Sequence, residues 1–226
     1  MARVNRVEKS RKEQKCSKCG IIIPVGGAYV WAKPRYGSKI VRCTTCGIKS
    51  WETSGSDYVR TIGSLQDEWR DSYGVGEGVA EEIAESLEEL RDNCQDSLDN
   101  MPEALQYGPT GEMLQERIDN LDSVIDELGN LDPEEYKAAA LDQTDSITVD
   151  TKEFINYYGE DDVDLSDDEK EEETLTIALS ELPNGEDYDA VQELPFIGDD
   201  DKEALSEAFE SALGEAIDEI LGELSY

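Results

Sequence analysis

After about Gly63, apolar residues recur at helical spacing. Val75, Val79, Ile83, Leu87, Leu90, Cys94, Leu98 and Met101 step by four and three. This spacing puts them on one stripe of a single predicted helix, with Glu and Asp on its other faces. Pro102 and the stretch Tyr107-Gly108-Pro109-Thr110-Gly111 interrupt that pattern. A second stripe follows through Leu114, Ile118, Leu121, Ile125 and Leu128, and Gly129-Asn130 stops it. Two such helices joined by a short loop predict a helical hairpin. Pro133 suits the first turn of a short third helix through Ala140. A last stripe, Leu205, Phe209, Leu213, Ile217, Ile220 and Leu224, predicts a long C-terminal helix. Asp199-Asp200-Asp201 lie at its positive end.

Between these helices, residues 142–173 are poor in apolar side chains and dense in acid, as in 160–164 and 167–169. Such a segment buries too little surface to offset its ordering entropy and is expected to be a disordered linker. Leu175, Ile177, Leu179 and Leu182 predict a short element that ends at Pro183-Asn184-Gly185.

The pattern before Gly63 is different. Residues 1–15 are polar and basic and read as a flexible arm. Ala28-Tyr29-Val30-Trp31 and Lys39-Ile40-Val41-Arg42 read as strands, with turns at Gly26-Gly27 and from Pro34 to Gly37. The expected fold class is therefore α+β, mainly α: a small four-cysteine ribbon followed by acidic amphipathic helices. Its expected segments are 1–15, 16–60, 61–141, 142–173 and 174–226.

Charge sharpens this division. The chain of 226 residues has a net charge of −35. Residues 1–60 carry 13 Lys/Arg and 4 Asp/Glu, a net of +9, and the rest carry 7 and 51, a net of −44. Each part will attract a different partner. No apolar run approaches the roughly 20 residues that span a bilayer. The basic N-terminus runs into more charge, so neither a signal peptide nor a membrane anchor is expected. The expected location is the cytoplasm.

There is no histidine. That removes Ser-His-Asp and Cys-His catalysis, as well as every histidine-containing zinc site. Gly74-Val75-Gly76-Glu77-Gly78 lacks the strand and the lysine of a phosphate loop. With 55 Asp/Glu, acidic pairs at metal-binding spacing arise by chance. No convergent catalytic site emerges, and the chain is not expected to be an enzyme.

The cysteines carry the chemistry. Cys16-x2-Cys19 and Cys43-x2-Cys46 are separated by 23 residues, and Gly20 and Gly47 follow the two pairs. Two intervening residues let both thiolates of a pair face one ion from a tight turn. A following glycine lets the backbone adopt positive φ and aim amides at sulfur. Four thiolates close a tetrahedral site and leave no position for substrate, so the expected cofactor is a structural Zn2+. Two disulfides or a rubredoxin-like iron site are the alternatives. The fifth cysteine, Cys94, lies on a helical stripe and reads as core.

Cys16-Ser17-Lys18-Cys19-Gly20 and Cys43-Thr44-Thr45-Cys46-Gly47 resemble the zinc-ribbon class. Such knuckles occur in transcription factors, polymerase subunits, ribosomal proteins and phage proteins. Asp99-Asn100-Met101-Pro102-Glu103 and Gly111-Glu112-Met113-Leu114-Gln115-Glu116-Arg117 resemble segments of phage-encoded zinc-ribbon proteins, which would place the chain in a host cytoplasm or a virion. The poly-ADP-ribose polymerase finger shares the Cys-x2-Cys, Gly-x-Tyr and Trp features, but its histidine ligand has no counterpart here.

Around the cysteines, Lys18, Trp31, Lys33, Arg35, Tyr36, Lys39, Arg42 and Lys49 combine cations that neutralise phosphate with rings that stack on bases. They are the candidate nucleic-acid contacts. The acidic helices repel phosphate and suit a basic protein partner. The expected function is a zinc-binding, non-enzymatic binding or regulatory module. The alternative is a structural or assembly protein, a phage accessory or virion component, that acts through protein–protein contacts only. Nothing in the pattern sets the oligomeric state.

Overall fold

The computed structural model describes residues 2–34, 38–144, 146–159, 169, 172–179, 182 and 185–224. The fold is α+β and mainly α. The chain folds into two units: Met1–Ser72, Glu85–Val124 and Leu221–Tyr226 form the first, and Tyr73–Ala84 and Ile125–Ile220 the second.

The first unit begins with two small antiparallel sheets. Strands β1 (Asn5–Val7), β4 (Tyr29–Ala32) and β5 (Ile40–Cys43) make one, in the order β1-β4-β5. Trp31 lies opposite Asn5 on one side and Val41 on the other. Strands β2 (Gln14–Lys15) and β3 (Ile22–Ile23) make the second, with Lys15 opposite Ile22. Residues 1–15, expected as a flexible arm, thus supply two strands. They are polar because the strands they join are short and half-exposed, not because they are unstructured. The expected turn from Pro34 to Gly37 lies largely outside the described residues.

A 3-10 turn at Trp51–Thr53 leads into helix α1 (Asp57–Tyr73). Tyr58, Ile62, Leu65 and Trp69 form its buried stripe at steps of four, three and four. Gly63 lets Trp51 lie against this helix, since a Cβ there would sit 2.2 Å from the Trp51 Cγ. Gly74 and Gly78, at φ 76° and 79°, end α1 and precede α2 (Val79–Asp99). The helix expected from Val75 therefore starts four residues later, because only glycine adopts this left-handed backbone readily. Ile83, Leu87, Leu90 and Cys94 on α2 are buried. A short α3 (Glu103–Gln106) occupies the expected loop before α4 (Pro109–Gly129). On α4, Val124 is buried where the pattern pointed to Ile125. Arg91 of α2 pairs with Asp122 of α4 at 3.3 Å, and the Arg117 guanidinium lies 4.2 Å from the Tyr58 ring centroid. The Gln66 amide donates to the carbonyls of Leu221 and Leu224 at 2.7 and 2.8 Å, which satisfies the end of the last helix.

The second unit is built on a two-stranded antiparallel sheet, β6 (Ser146–Asp150) with β7 (Thr174–Ala178). Ile147 faces Ile177 and Val149 faces Leu175 in this register, and all four are buried. Helix α5 (Pro133–Asp142) precedes the sheet, with Asp132 as its N-cap. Helix α6 (Thr151–Tyr158) follows β6, with the Asp150 carboxylate accepting from the amides of Lys152 and Glu153. Helix α7 (Tyr188–Glu193) and all but the last two residues of α8 (Asp199–Gly222) also belong to this unit. Phe154, Val191, Leu194, Phe196, Ile197 and Leu205 close one core over the sheet.

The disordered linker expected over 142–173 is corrected for residues 146–158, which form β6 and α6. Ser146-Ile147-Thr148-Val149-Asp150 alternates polar and apolar residues. Two apolar side chains are too few to signal a strand until β7 and Phe196 cover them. Of the acid runs expected to be disordered, residues 160–168 lie outside the described residues. Asp201, expected only to favour the start of α8, also accepts from the Thr148 amide at 2.7 Å. Among the described residues, no helix is long and apolar enough to cross a membrane.

Candidate metal centre

The two cysteine knuckles are built alike. Gly20 donates its amide to the Cys16 carbonyl at 3.0 Å, and Gly47 donates to Cys43 at 3.1 Å. Both glycines hold positive φ, 74° and 60°, as the sequence requires. The first knuckle is the turn between β2 and β3, and the second leaves the end of β5. Ser17 ties them together: its amide and its hydroxyl both donate to the Val41 carbonyl, at 2.8 and 2.9 Å.

This framework brings the four sulfurs of Cys16, Cys19, Cys43 and Cys46 to separations of 3.4–3.9 Å. A tetrahedral ion with metal–sulfur bonds of about 2.3 Å sets its sulfurs about 3.8 Å apart. The donor set therefore fits a thiophilic ion of that size. It does not fit disulfides, whose sulfurs lie about 2.05 Å apart, and all five cysteines are free thiols.

Local electrostatics differentiate the ligands. Burial resists ionisation of Cys16, yet amides including those of Cys19, Cys43 and Lys18 outweigh it and bring the thiol down to about 6. The Cys46 amide donates to Cys43 Sγ at 3.3 Å and lowers that thiol as well. Cys46, hydrogen-bonded first to Cys43 and then to Cys19, is pushed up to about 12. A cation in the cluster reverses that last shift, because it favours all four thiolates together.

The candidate nucleic-acid contacts are in mixed positions. Lys18 is ion-paired with Glu68 of α1. Arg42 pairs with Glu52 at 2.5 Å, both side chains 14% exposed, and the Lys49 amide donates to the same carboxylate. The Lys49 ammonium lies 3.0 Å from Asp67, whose other partner is the Trp51 indole N–H. That indole bond first, and Lys49 after it, hold the Asp67 carboxyl below its ordinary value against the effect of burial. Lys39 lies 4.3 Å from the half-buried Trp31 ring and 6.0 Å from Tyr29. Lys33 is exposed, and Arg35 and Tyr36 lie outside the described residues.

Sequence reasoning missed the three acids that take up these cations. Glu52, Asp67 and Glu68 sit in or just before a helix whose register against the ribbon is a tertiary matter. The cations of residues 1–15 are left exposed: Arg3, Arg6, Lys9, Arg11, Lys12 and Lys15 have no carboxylate partner among the described residues.

A second trio of ligating groups, Glu77, Glu134 and Asp189, lies in the second unit within 4.8 Å of one another. It already holds a cation. The Lys137 ammonium lies 3.0 Å from Glu134 and 2.8 Å from Asp189 and also pairs with Glu77. This is an ion-pair hub.

The fold and the site thus define a mainly α protein with a ribbon-like four-cysteine centre. No protein family, characterised protein or solved structure matches the chain.

Proposed function

We propose that the chain is a non-enzymatic, zinc-held binding module whose N-terminal region contacts nucleic acid or a nucleic-acid enzyme. Zinc is the ion that suits four thiolates in a closed, redox-silent structural site. The observation that carries the partner assignment is charge. In a chain of net −35, Arg3, Arg6, Lys9, Arg11, Lys12, Lys15 and Lys33 stay exposed, without a carboxylate partner among the described residues. Self-neutralisation would be the cheapest arrangement in so acidic a protein, and these seven escape it. Of these cations Arg6 and Lys15 lie on strands β1 and β2, and β2 runs into the first cysteine knuckle, so a metal there would help to position this part of the cationic surface. The remaining surface supports contact with a basic protein: an open cleft of about 680 Å3 in the second unit gathers Asp150, Glu153, Asp199, Asp200 and Asp201.

The test is binding of the zinc-loaded full chain to single- and double-stranded oligonucleotides across a salt series. Affinity is expected to fall steeply with salt. Arg11→Glu with Lys12→Glu is expected to abolish it, and Lys49→Gln, whose cation is already paired, to leave it nearly unchanged. Binding that ignores salt, or that depends on Lys49 and not on Arg11 and Lys12, overturns this reading. A second reading, a phage or other assembly protein acting through protein contacts, is supported by the exposed aliphatic tip at Ile21, Ile22 and Val25.

A further inference from the structure

Two apolar patches of opposite charge lie in the first unit, and both are left open. One is the tip beside the first cysteine knuckle, where Ile21, Ile22 and Val25 are 61%, 63% and 65% exposed. Lys15 is the register partner of Ile22, and exposed Lys9, Arg11 and Lys12 lie just before it in the chain. The other is the corner where α3 meets α4. Leu105, Tyr107 and Met113 there are 57%, 80% and 40% exposed. No Lys or Arg occurs from residue 92 to residue 116, while Asp96, Asp99, Glu103, Glu112 and Glu116 are exposed.

Both patches are held in place. Ser10 donates its amide to Gly27 at 2.9 Å and accepts from Gly26 at 2.8 Å, which pins the turn that carries Val25. The Gln106 side chain donates to the carbonyls of Leu98 and Met101 at 3.3 and 2.9 Å. A Cβ at Gly111 would lie 1.9 Å from the Gln106 carbonyl oxygen, so glycine is what lets α4 start this close to α3. Bonds that fix a corner with its large apolar side chains pointing at water make sense when another surface covers them. Order set in advance lowers the entropic cost of docking.

We infer that the knuckle tip of one copy docks on the α3–α4 corner of a second copy. The two surfaces match in character, aliphatic centre against aliphatic and aromatic centre, with a cationic border against an acidic one. Neither is covered by the described residues of its own chain. Each copy offers one surface of each kind, so the contact is heterologous and extends head to tail. The patches are small, so the contact belongs with weak, transient interfaces. The net charge of −35 opposes association at very low salt. At about 0.15 M salt the screening length is about 8 Å, which damps that long-range repulsion more than it damps pairs in contact. Association therefore peaks at intermediate salt. This inference deepens the protein-contact reading and does not depend on nucleic-acid binding: loss of oligonucleotide binding leaves it intact, and a strictly monomeric protein removes it while leaving the cationic surface in place.

The experiment is analytical ultracentrifugation of the full chain, zinc-loaded and freed of nucleic acid, over a range of concentration and salt. The average mass is expected to rise above the 25.1 kDa of one chain as concentration increases. Ile22→Glu removes the tip and Tyr107→Lys removes the corner, and each variant alone is expected to be monomeric. Mixed in equal amounts they retain one intact tip and one intact corner, and are expected to give a one-to-one dimer that grows no further. Val25→Asp with Leu105→Lys repeats the pairing should either first variant lose its native tryptophan fluorescence or circular dichroism. A wild type that stays monomeric, a folded variant that associates like wild type, or a mixture that stays monomeric overturns the proposal. So does a monomeric wild type whose oligonucleotide binding is lost in Ile22→Glu, which would assign the tip to nucleic acid.

Discussion

The cysteine ribbon and the β6–β7 sheet are both small antiparallel structures within one chain, held by different means. In β6–β7 the inward side chains Ile147, Val149, Leu175 and Ile177 are buried and join a larger core with Phe154 and Phe196. In the ribbon strands β4 and β5, most residues remain half-exposed, and Ala32 is the only one fully buried. A sheet so thinly covered gains little from removing apolar surface from water. A thiophilic ion held by the four cysteines would supply the missing term: apparent zinc affinities in finger peptides correspond to about 10–16 kcal/mol. Each device therefore suits a different kind of segment. A strongly basic stretch that must keep its cations in water has few positions left for a core, and a metal needs only four.

The largest expected effect separates the two directly. All three tryptophans, Trp31, Trp51 and Trp69, belong to the first unit. Chelation of the metal, or Cys16→Ser, should strongly shift tryptophan fluorescence and strip amide protection from β4 and β5. Ile147 and Val149 should keep theirs. Hydrogen exchange read by mass spectrometry decides it, and parallel loss in both sheets would break the contrast.

Next in size is Phe196→Ala. Deleting this fully buried ring is expected to cost about 3–5 kcal/mol. Urea unfolding followed by circular dichroism should show the loss, with metal stoichiometry unchanged. A variant that also releases metal would mean the two regions share one cooperative core.

A smaller effect is expected at Lys137, whose side chain is only 5% exposed although its three partners are largely in solvent. Asp189 first, then Glu77, hold its ammonium above the ordinary value despite burial, and Glu134 adds to them. A raised folded value means the stabilisation is complete below the unfolded value of about 10.4 and lost as pH rises through the folded one. Lys137→Met should cost about 1–2 kcal/mol near neutrality, the solvated partners limiting the loss. It should also flatten the alkaline side of the stability profile. An unchanged alkaline slope in thermal melts would mean that the hub does not hold the second unit together.

The smallest effect concerns Asp67. Its depressed value contributes stability above the ordinary carboxyl range, lost as pH falls through the folded value. Asp67→Asn should leave the metal in place and weaken only the acid-side dependence of the first unit, visible in tryptophan fluorescence below about pH 4.

The parts legible in advance were those with local signatures. The pairing of the four clustered cysteines, the glycines after each pair and the stripes on α2, α4 and α8 follow from spacing, since a knuckle or a helical face is defined within a few residues. Stripe positions slipped by one at Val124 and Leu221, which are buried in place of Ile125 and Ile220, because adjacent positions differ by only about 100° around a helix. Strand β6 escaped notice because its two apolar residues acquire meaning from β7, more than twenty residues away. The fate of Lys18, Arg42 and Lys49 escaped notice for a related reason: Glu68 and Asp67 reach Lys18 and Lys49 only after α1 takes its place beside the ribbon, and Glu52 reaches Arg42 from the 3-10 turn before it.

Where a metal can bind, which stretches are helical and how charge divides along the chain were already written in the order of the residues. All three are properties of near neighbours. It took the folded chain to show which cations are spent on the protein's own acids and which stay exposed, and which apolar side chains are covered and which face water. These outcomes depend on distances between residues far apart in the chain, and no local pattern contains them.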